Sequence, residues 1–367
     1  MVEWKKLGEI AEIGTGSNNR EDACDNGCYP FYVRSQEVLK IDSYLYDEEA
    51  ILIPGEGGIG DIFHYVNGKY GLHQRTYRVH PVTDEVKGRY IYYYLFAKFK
   101  SYINTKSYKS TAASIRKPML LDFPILIPSI KEQTRIVGIL DTFTASIDNL
   151  KEQIAQRRKQ YEYFRDQLLD LEGKEGVEMK TLGEIGEFIR GNGIQKNDFV
   201  EDGFGCIHYG QIHAKYGFSA TETISKISED LYNRCKKAQM GDVVLATTSE
   251  DAEGVAKPFV WLGQDEVAVS GDAFIYHHNQ IGKFMGYQFL THRFMQFKVK
   301  YATGAKVVRI SGDNMAKFEV ALPSLSEQQR IVSILDTFEA SIQNLEAQLS
   351  QREKQYEYYR NKLFCFN

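Results

Sequence analysis

The sequence predicts an α+β fold: two pseudo-symmetric α/β domains separated by two long coiled-coil helices. Three observations carry this expectation. Residues 127–169 and 322–364 are two copies of one segment, identical at 27 of 43 aligned positions without a gap. A shorter repeat opens each half, KKLGEIAEI at 5–13 and KTLGEIGEF at 180–188. Each stretch between an opening repeat and a long repeat mixes strand and helix signals. Internal repetition of this kind sets the architecture before any local reading.

Taken in order, residues 1–128 form the first domain. Its buried-strand signal is Ala50-Ile-Leu-Ile53, a continuous apolar run. A glycine-rich loop follows, Pro54-Gly-Glu-Gly-Gly-Ile-Gly60, then a strand at Gln74–Val79 and an aromatic helix at Tyr90–Phe99. The loop lacks the GxxxxGK[ST] spacing that cradles nucleotide phosphates, so a tight hairpin is the plainer reading. Residues 129–172 are the central helix. Ile136, Leu140, Phe143, Ile147, Leu150 and Ile154 alternate at spacings of four and three, and Arg157, Tyr161, Phe164 and Leu168 continue the register. A 3.5-residue period held this long is a coiled-coil seam. Ser129 with Glu132 forms a capping-box pattern just after Pro128. Forty residues at 1.5 Å each make a rod of roughly 60 Å.

Two glycines and three acids in Leu171–Glu178 mark a linker. With the second domain it makes up residues 173–323. That domain repeats the pattern: a strand at Val243–Ala246, a polar loop at Thr247–Gly254, a strand at Ala273–Tyr276 and a helix at Phe284–Phe297. Residues 324–367 are the distal helix, with Ser324 and Glu327 as its cap. Its seam runs Ile331, Leu335, Phe338, Ile342, Leu345, Leu349, Arg352, Tyr356, Tyr359 and Leu363. Arg157 and Arg352 break the apolar seam at the same slot. They either snorkel to solvent or fix register or a partner. The helix-pair and partner interface is therefore expected at Leu140, Phe143, Ile147, Leu150, Ile154, Arg157, Leu335, Phe338, Ile342, Leu345, Leu349 and Arg352.

Composition narrows the function. No run of about 18 apolar residues exists to span a membrane, and the start MVEWKKLGEI lacks the apolar core of a secretory signal. A cytoplasmic protein is expected. The 5 cysteines have no regular spacing and read as reduced thiols. Cys24 and Cys28 are the one close pair, and no second pair follows at a zinc-ligand spacing, so no metal site is expected. The net charge of −4 does not suggest a general nucleic-acid binder. Local charge does. Val86–Leu121 and Ala273–Gly312 contain no acid, and lie at matching places in the two halves. The first carries Lys87, Arg89, Lys98, Lys100, Lys106, Lys109, Arg116 and Lys117; the second Lys283, Arg293, Lys298, Lys300, Lys306 and Arg309. Cations interleaved with Tyr and Phe suit contact with phosphates.

Phosphate contacts position a protein on DNA and base contacts specify the sequence. From the tracts the expected DNA-binding residues are Lys98, Lys100, Lys106, Lys109, Arg116, Lys117, Arg293, Lys298, Lys300, Lys306 and Arg309. Side chains of the types that read base edges add Arg34, Gln74 and Arg75 in the first domain. In the second they add Tyr209, Gln211, Thr248, Ser249 and Lys257. Catalytic motifs are missing: no [ND]PP[YF] tetrapeptide, no Walker A, no Gly-x-Ser-x-Gly, no Cys/His set at catalytic spacing. Asp61…Glu85-Val-Lys87 resembles a nuclease triad only by chance-level carboxylate frequency. No catalytic residue is expected.

The arrangement resembles the specificity subunit of type I restriction-modification systems. The residues that carry the resemblance are Lys6-Leu-Gly-Glu-Ile10, Thr181-Leu-Gly-Glu-Ile185, Pro128–Ile136 and Pro323–Ile331, the last two each leading into Ile-Leu-Asp. The resemblance implies two target recognition domains facing opposite ways about a pseudo-twofold axis, with the long helices antiparallel between them. It implies a non-catalytic chain that reads a bipartite double-stranded DNA target, the helices setting the half-site spacing. Two modification subunits, adenine methyltransferases using S-adenosylmethionine, would dock on it, and restriction subunits would add ATP- and Mg-dependent translocation and cleavage. None of those cofactors is expected in this chain. A rod of about 60 Å can hold two readers roughly one DNA turn, about 34–36 Å, apart. Three other readings stay open: a coiled-coil structural adaptor joining two protein partners, a self-contained methyltransferase or nuclease, and a reader in another multi-subunit methylation system of similar design, which the sequence does not separate from the type I reading. Two matched basic tracts disfavour the first, and missing motifs disfavour the second.

Overall fold

The computed structural model describes residues 2–106, 114–304 and 307–366. The chain forms two compact units, Met1–Glu152 with Glu346–Asn367, and Gln153–Leu345. Each unit takes one part of both long helices, so the units do not follow the chain's segment order.

In the first unit a six-stranded sheet runs in the order Ala11–Thr15, Thr76–Pro81, Tyr46–Pro54, His64–Leu72, Tyr29–Tyr32, Val38–Ile41. Only the pair Tyr29–Tyr32 with His64–Leu72 is parallel. The run Ala50–Ile53 is the sheet's buried centre, every residue fully covered. The aromatic helix spans Gly88–Lys106, longer than its sequence signal, and its Tyr90, Tyr93, Leu95 and Phe99 close the core.

The second unit uses two five-stranded sheets. The role of the single long strand His64–Leu72 is divided here between Lys257–Trp261 and Val267–Val269. A turn between them is closed by Trp261 Nε1 donating to the Asp265 carbonyl at 2.8 Å. The helix expected over Phe284–Phe297 is two helices, Gly282–Gln288 and His292–Tyr301. Thr291 causes the break: its hydroxyl donates to the Gln288 carbonyl and accepts from Phe294 N, capping the second helix.

The opening repeats have a structural purpose. Glu3–Lys6 pairs antiparallel with Pro124–Ile127, and Glu178–Thr181 with Glu319–Leu322. Each opening strand thus lies on the strand that feeds a long helix. Leu7 N then donates to Phe123 O, and Leu182 N to Phe318 O, both at 2.9 Å.

The long helices span Ile130–Leu169 and Leu325–Leu363. Ser129 and Ser324 each accept the amide of the third residue on, Glu132 N and Glu327 N, at 3.4 Å. The reciprocal half of the expected capping box is replaced. The Glu132 carboxylate accepts from Arg135, and Glu327 from Arg330, one helical turn on.

Two contacts repeat in both units and fix each helix to its sheet domain. Gln133 is fully buried; it accepts from Lys87 N and donates to the Glu85 and Pro128 carbonyls, each at 2.9 Å. Gln328, also fully buried, accepts from Ile281 N and donates to Gln280 Oε1 and the Pro323 carbonyl. Two turns further, Asp141 takes Arg89 and the Tyr93 hydroxyl, and Asp336 takes Lys283 and the Tyr287 hydroxyl.

Within each unit the helix segments pair antiparallel. In the first, Phe143 stacks on Tyr359 at 5.4 Å while Lys151 meets Glu353. In the second, Phe164 stacks on Phe338 at 5.5 Å while Tyr161 donates to Glu339. The two seam arginines settle onto rings of the opposite helix: Arg352 over Phe143 at 5.8 Å, Arg157 over Phe338 at 6.0 Å. Both are half-buried, and each makes a matched cation–π contact across the seam. Ile147, Leu150 and Ile154 are buried, and Ile342, Leu345 and Leu349 half-buried. Leu140 and Leu335 sit deeper, in the two unit cores.

The amide contacts predict a measurable loss. Gln133→Ala or Gln328→Ala leaves a buried backbone amide and carbonyls unmet, at about 1–3 kcal/mol. The expected result is a lower denaturant midpoint for unfolding of the affected unit; an unchanged midpoint in both variants would remove the anchoring role.

Candidate nucleic-acid interface

Three loops meet at one edge of the first unit's sheet. The loop after Ala11–Thr15 brings Arg20, the loop after Tyr29–Tyr32 brings Arg34, and the turn before Thr76 brings His73, Gln74 and Arg75. Asn18 and His73 are joined by a parallel bridge, and Gln74 N donates to the Asn18 carbonyl. The glycine-rich loop 55–60 comes from the neighbouring strand and is no tight hairpin: it begins the long connection to His64–Leu72. Gly57 and Gly58 adopt φ of +69° and +64°, which suit glycine. Between these loops lies a cleft of about 230 Å³ whose lining includes Arg20, Arg34, Glu56, Gly57 and His73.

Glu56 organises the charge. Its Oε2 accepts from Arg34 Nη1 at 3.1 Å and Arg75 Nη1 at 3.0 Å. The hydrogen bond from Arg75, then that from Arg34, hold the carboxyl below the usual carboxylate range. Both guanidiniums stay open to solvent, their side chains 43% and 56% exposed. His73 is buried, and its Nδ1 accepts from Arg75 N, fixing the turn beneath that arginine.

The second unit builds the same edge from other side chains. The corresponding bridge is Asn192 with Ser270, again parallel. The cleft there is about 430 Å³ and is lined by Arg190, Gln195, Tyr209, Ser270 and Asp272 among others. Tyr209 N donates to Ser270 Oγ, and Arg190 Nε to the Gly271 carbonyl. The loop after the central strand also pairs with the segment leading to the long helix in both units. Glu56 bridges Ser114, and Thr248 pairs with Arg309.

The expected DNA-binding residues divide accordingly. Arg34, Gln74 and Arg75 come together on the first edge, with Arg116 and Lys117 exposed just beyond the Glu56–Ser114 bridge. Thr248, Ser249 and Arg309 come together on the second, and Tyr209 lines its cleft. Lys300 is exposed, and Lys98 half-exposed. Lys106 ends the aromatic helix, while Lys109 and Lys306 lie outside the described residues.

Several expectations need correction. Lys298 is buried and donates to the Glu253 and Val255 carbonyls, holding the loop 247–256 from beneath. Burial pulls its pKa down to about 8; it does not face a phosphate. Gln211 is buried and donates to Ser225 Oγ. Lys257, half-buried, donates to the His213 carbonyl. Lys100 and Arg293 stay exposed, the first beside Asp61 and the second over the Phe318 ring. Arg89 and Lys283 in the basic tracts serve Asp141 and Asp336. A tract without acids in sequence can still meet acids in space, and that is why the charge pattern overstated the free cations.

Arg20, Glu56 and Gln195 are the edge residues that sequence reasoning passed over. Their signal was positional: Arg20 and Gln195 follow the two opening repeats at nearly the same distance. A larger cleft in the first unit, about 1000 Å³, is lined by Glu49, Asp84, Asp141 and Arg89; its acids suit no phosphate. Among the described residues no group of three or more His, Cys, Asp or Glu could hold a metal ion. No described helix is long and apolar enough to cross a membrane.

The family model for the type I restriction modification DNA specificity domain matches residues 1–157 and 174–353. The chain belongs to the type I restriction-modification DNA specificity family. A Haemophilus influenzae protein named as a type I restriction enzyme specificity subunit is 27% identical, over 100% of this chain and 96% of its own length. An Escherichia coli type I restriction enzyme specificity subunit is 34% identical over 65% of this chain and 60% of its own. The fold matches the crystal structure of a type I S subunit from M. genitalium with TM-score 0.64 at 15% identity, covering 100% and 97% of the two chains. A chain from a solved type I restriction-modification assembly matches with TM-score 0.59 at 13% identity, covering 99% and 97%. The family's domain is a specificity domain, and this member is not an enzyme.

Burial separates two classes of cation experimentally. Removing one phosphate-binding cation lowers the slope of log K against log salt by about 1. Arg116→Ala is expected to lower that slope on duplex DNA, and Lys298→Met to leave it unchanged. The reverse pattern would show the exposure-based sorting to be mistaken.

Proposed function

We propose that the chain reads a bipartite double-stranded DNA target, one word per unit, and directs partner subunits that carry out the chemistry. The observation that supports this most is the repeated loop edge. The same strands present the same loops twice, yet with Arg34, Glu56 and Arg75 on one and Tyr209, Thr248 and Asp272 on the other. A scaffold kept constant while its side chains diverge suits two unlike half-sites. The long helices, each about 60 Å at 1.5 Å per residue, would set the spacing between them.

Exposed aromatics on those helices favour a partner that docks twice. Tyr163 and Phe164 are 59% and 41% exposed; their repeat counterparts Tyr358 and Tyr359 are 59% and 42% exposed. Matched apolar exposure of this kind marks interaction sites. Two copies of one modification subunit would fit, each bringing S-adenosylmethionine and methylating an adenine in one half-site. Restriction subunits with ATP and Mg would join the same assembly.

Mapping methylated adenines across the genome, with and without this chain beside its modification partner, tests the reading. A split motif with two short words and a fixed gap is expected, and exchanging residues 5–126 for those of a relative should alter one word only. Methylation that ignores the chain, with the partner active, would sink the proposal in favour of a coiled-coil adaptor.

A further inference from the structure

The first unit's edge carries an unusual arrangement: two arginines from two loops share one carboxylate oxygen supplied by a third loop. Each guanidinium gives a single N–H to Glu56, through Nη1. An arginine has five N–H donors in a planar fork, so the Nε and Nη2 edge of each remains for a second partner. Ion pairs this exposed contribute little to stability, about 0–1 kcal/mol. A stabilising role therefore explains little of the convergence.

Orientation explains more. Arg20 and Arg34 line the cleft against the single acid Glu56, and Arg75 adds a third cation through its bond to Glu56, so the cleft can approach DNA. Glu56 meanwhile cancels enough charge, and fixes enough side-chain freedom, to hold both forks in place before binding. The turn beneath Arg75 is fixed by buried His73, and the backbone of Glu56 by its bridge to Ser114. A planar two-donor fork held at a groove-sized edge matches the paired O6 and N7 acceptors of guanine in the major groove. In the second unit Thr248 occupies the place of Glu56, and Ser270 and Asp272 belong to the turn that holds Arg75 in the first.

We infer that Arg34 and Arg75, positioned by Glu56, read guanine in the half-site bound by the first unit, and that the second half-site is read without this device. The inference rests on the loop edges being base readers. Glu56 is a positioning residue here and touches no base.

The test uses the full complex of this chain with its modification subunit. The split word is mapped first, and the word belonging to the first unit is identified by the exchange of residues 5–126. Duplexes then carry 7-deazaguanine at one guanine at a time, which removes N7 and keeps base pairing. In that word at least one substitution should weaken binding about 5- to 150-fold. Arg34→Ala or Arg75→Ala should abolish the sensitivity at the guanine each one reads. Glu56→Gln should diminish sensitivity at both while thermal unfolding and the salt slope stay as in the parent, a result a merely structural carboxylate would not give. A first word with no sensitive guanine, or sensitivity that survives in both arginine variants, overturns the inference and leaves the reader assignment standing. Binding that selects no word at all overturns both.

Discussion

Each long helix is tied to its sheet domain by one buried amide and one carboxylate two turns apart, and the same two points recur in both units. Gln133 and Gln328 fix where a helix starts against the domain; Asp141 and Asp336 fix its rotation. Both points join each helix to the loop and aromatic helix of its own sheet domain. The first unit holds its second point more firmly. Arg89 lies over the rings of Tyr65, Tyr92 and Tyr93 as it meets Asp141, a contact that the single ammonium of Lys283 does not reproduce. The second unit adds Glu339, whose carboxyl burial pushes upward in pKa and which accepts from Tyr161.

Constancy and divergence are divided along the chain by physics. The helix seam can tolerate little change, because Phe143, Arg352 and Tyr359 interlock, as do Phe338, Arg157 and Phe164. Loop edges carry no such constraint, since strands and buried residues such as His73 support them from behind. The second sheet domain even divides one strand into two without disturbing the edge. Specificity can therefore change while the frame does not.

Much of the frame was legible in the sequence because period and repetition are local signals. The seam, the serine caps, the buried run Ala50–Ile53 and the duplicated opening segment all follow from spacing. What escaped were features created by contact across the fold. The Glu132 carboxylate turned to Arg135, Thr291 broke a helix, and Lys298 went inward to satisfy two carbonyls. Of the edge, Arg34, Gln74 and Arg75 were legible as reader-type side chains near loops. Glu56 was not, because an acid between two arginines distant in sequence looks like ordinary surface until the loops meet.

Phe364 packs against Tyr90 and Tyr94, at 5.6 and 5.2 Å, inside the first unit's core. That unit is therefore built from two stretches that flank the second unit in the sequence. On the ribosome, the second unit has all its residues available while the first still lacks residues 346–366. The first sheet domain must wait, with Tyr90 and Tyr94 uncovered, until translation has passed through its neighbour. Of the two units, the first therefore begins earlier and closes later than its neighbour, and the segment around Phe364 is what closes it.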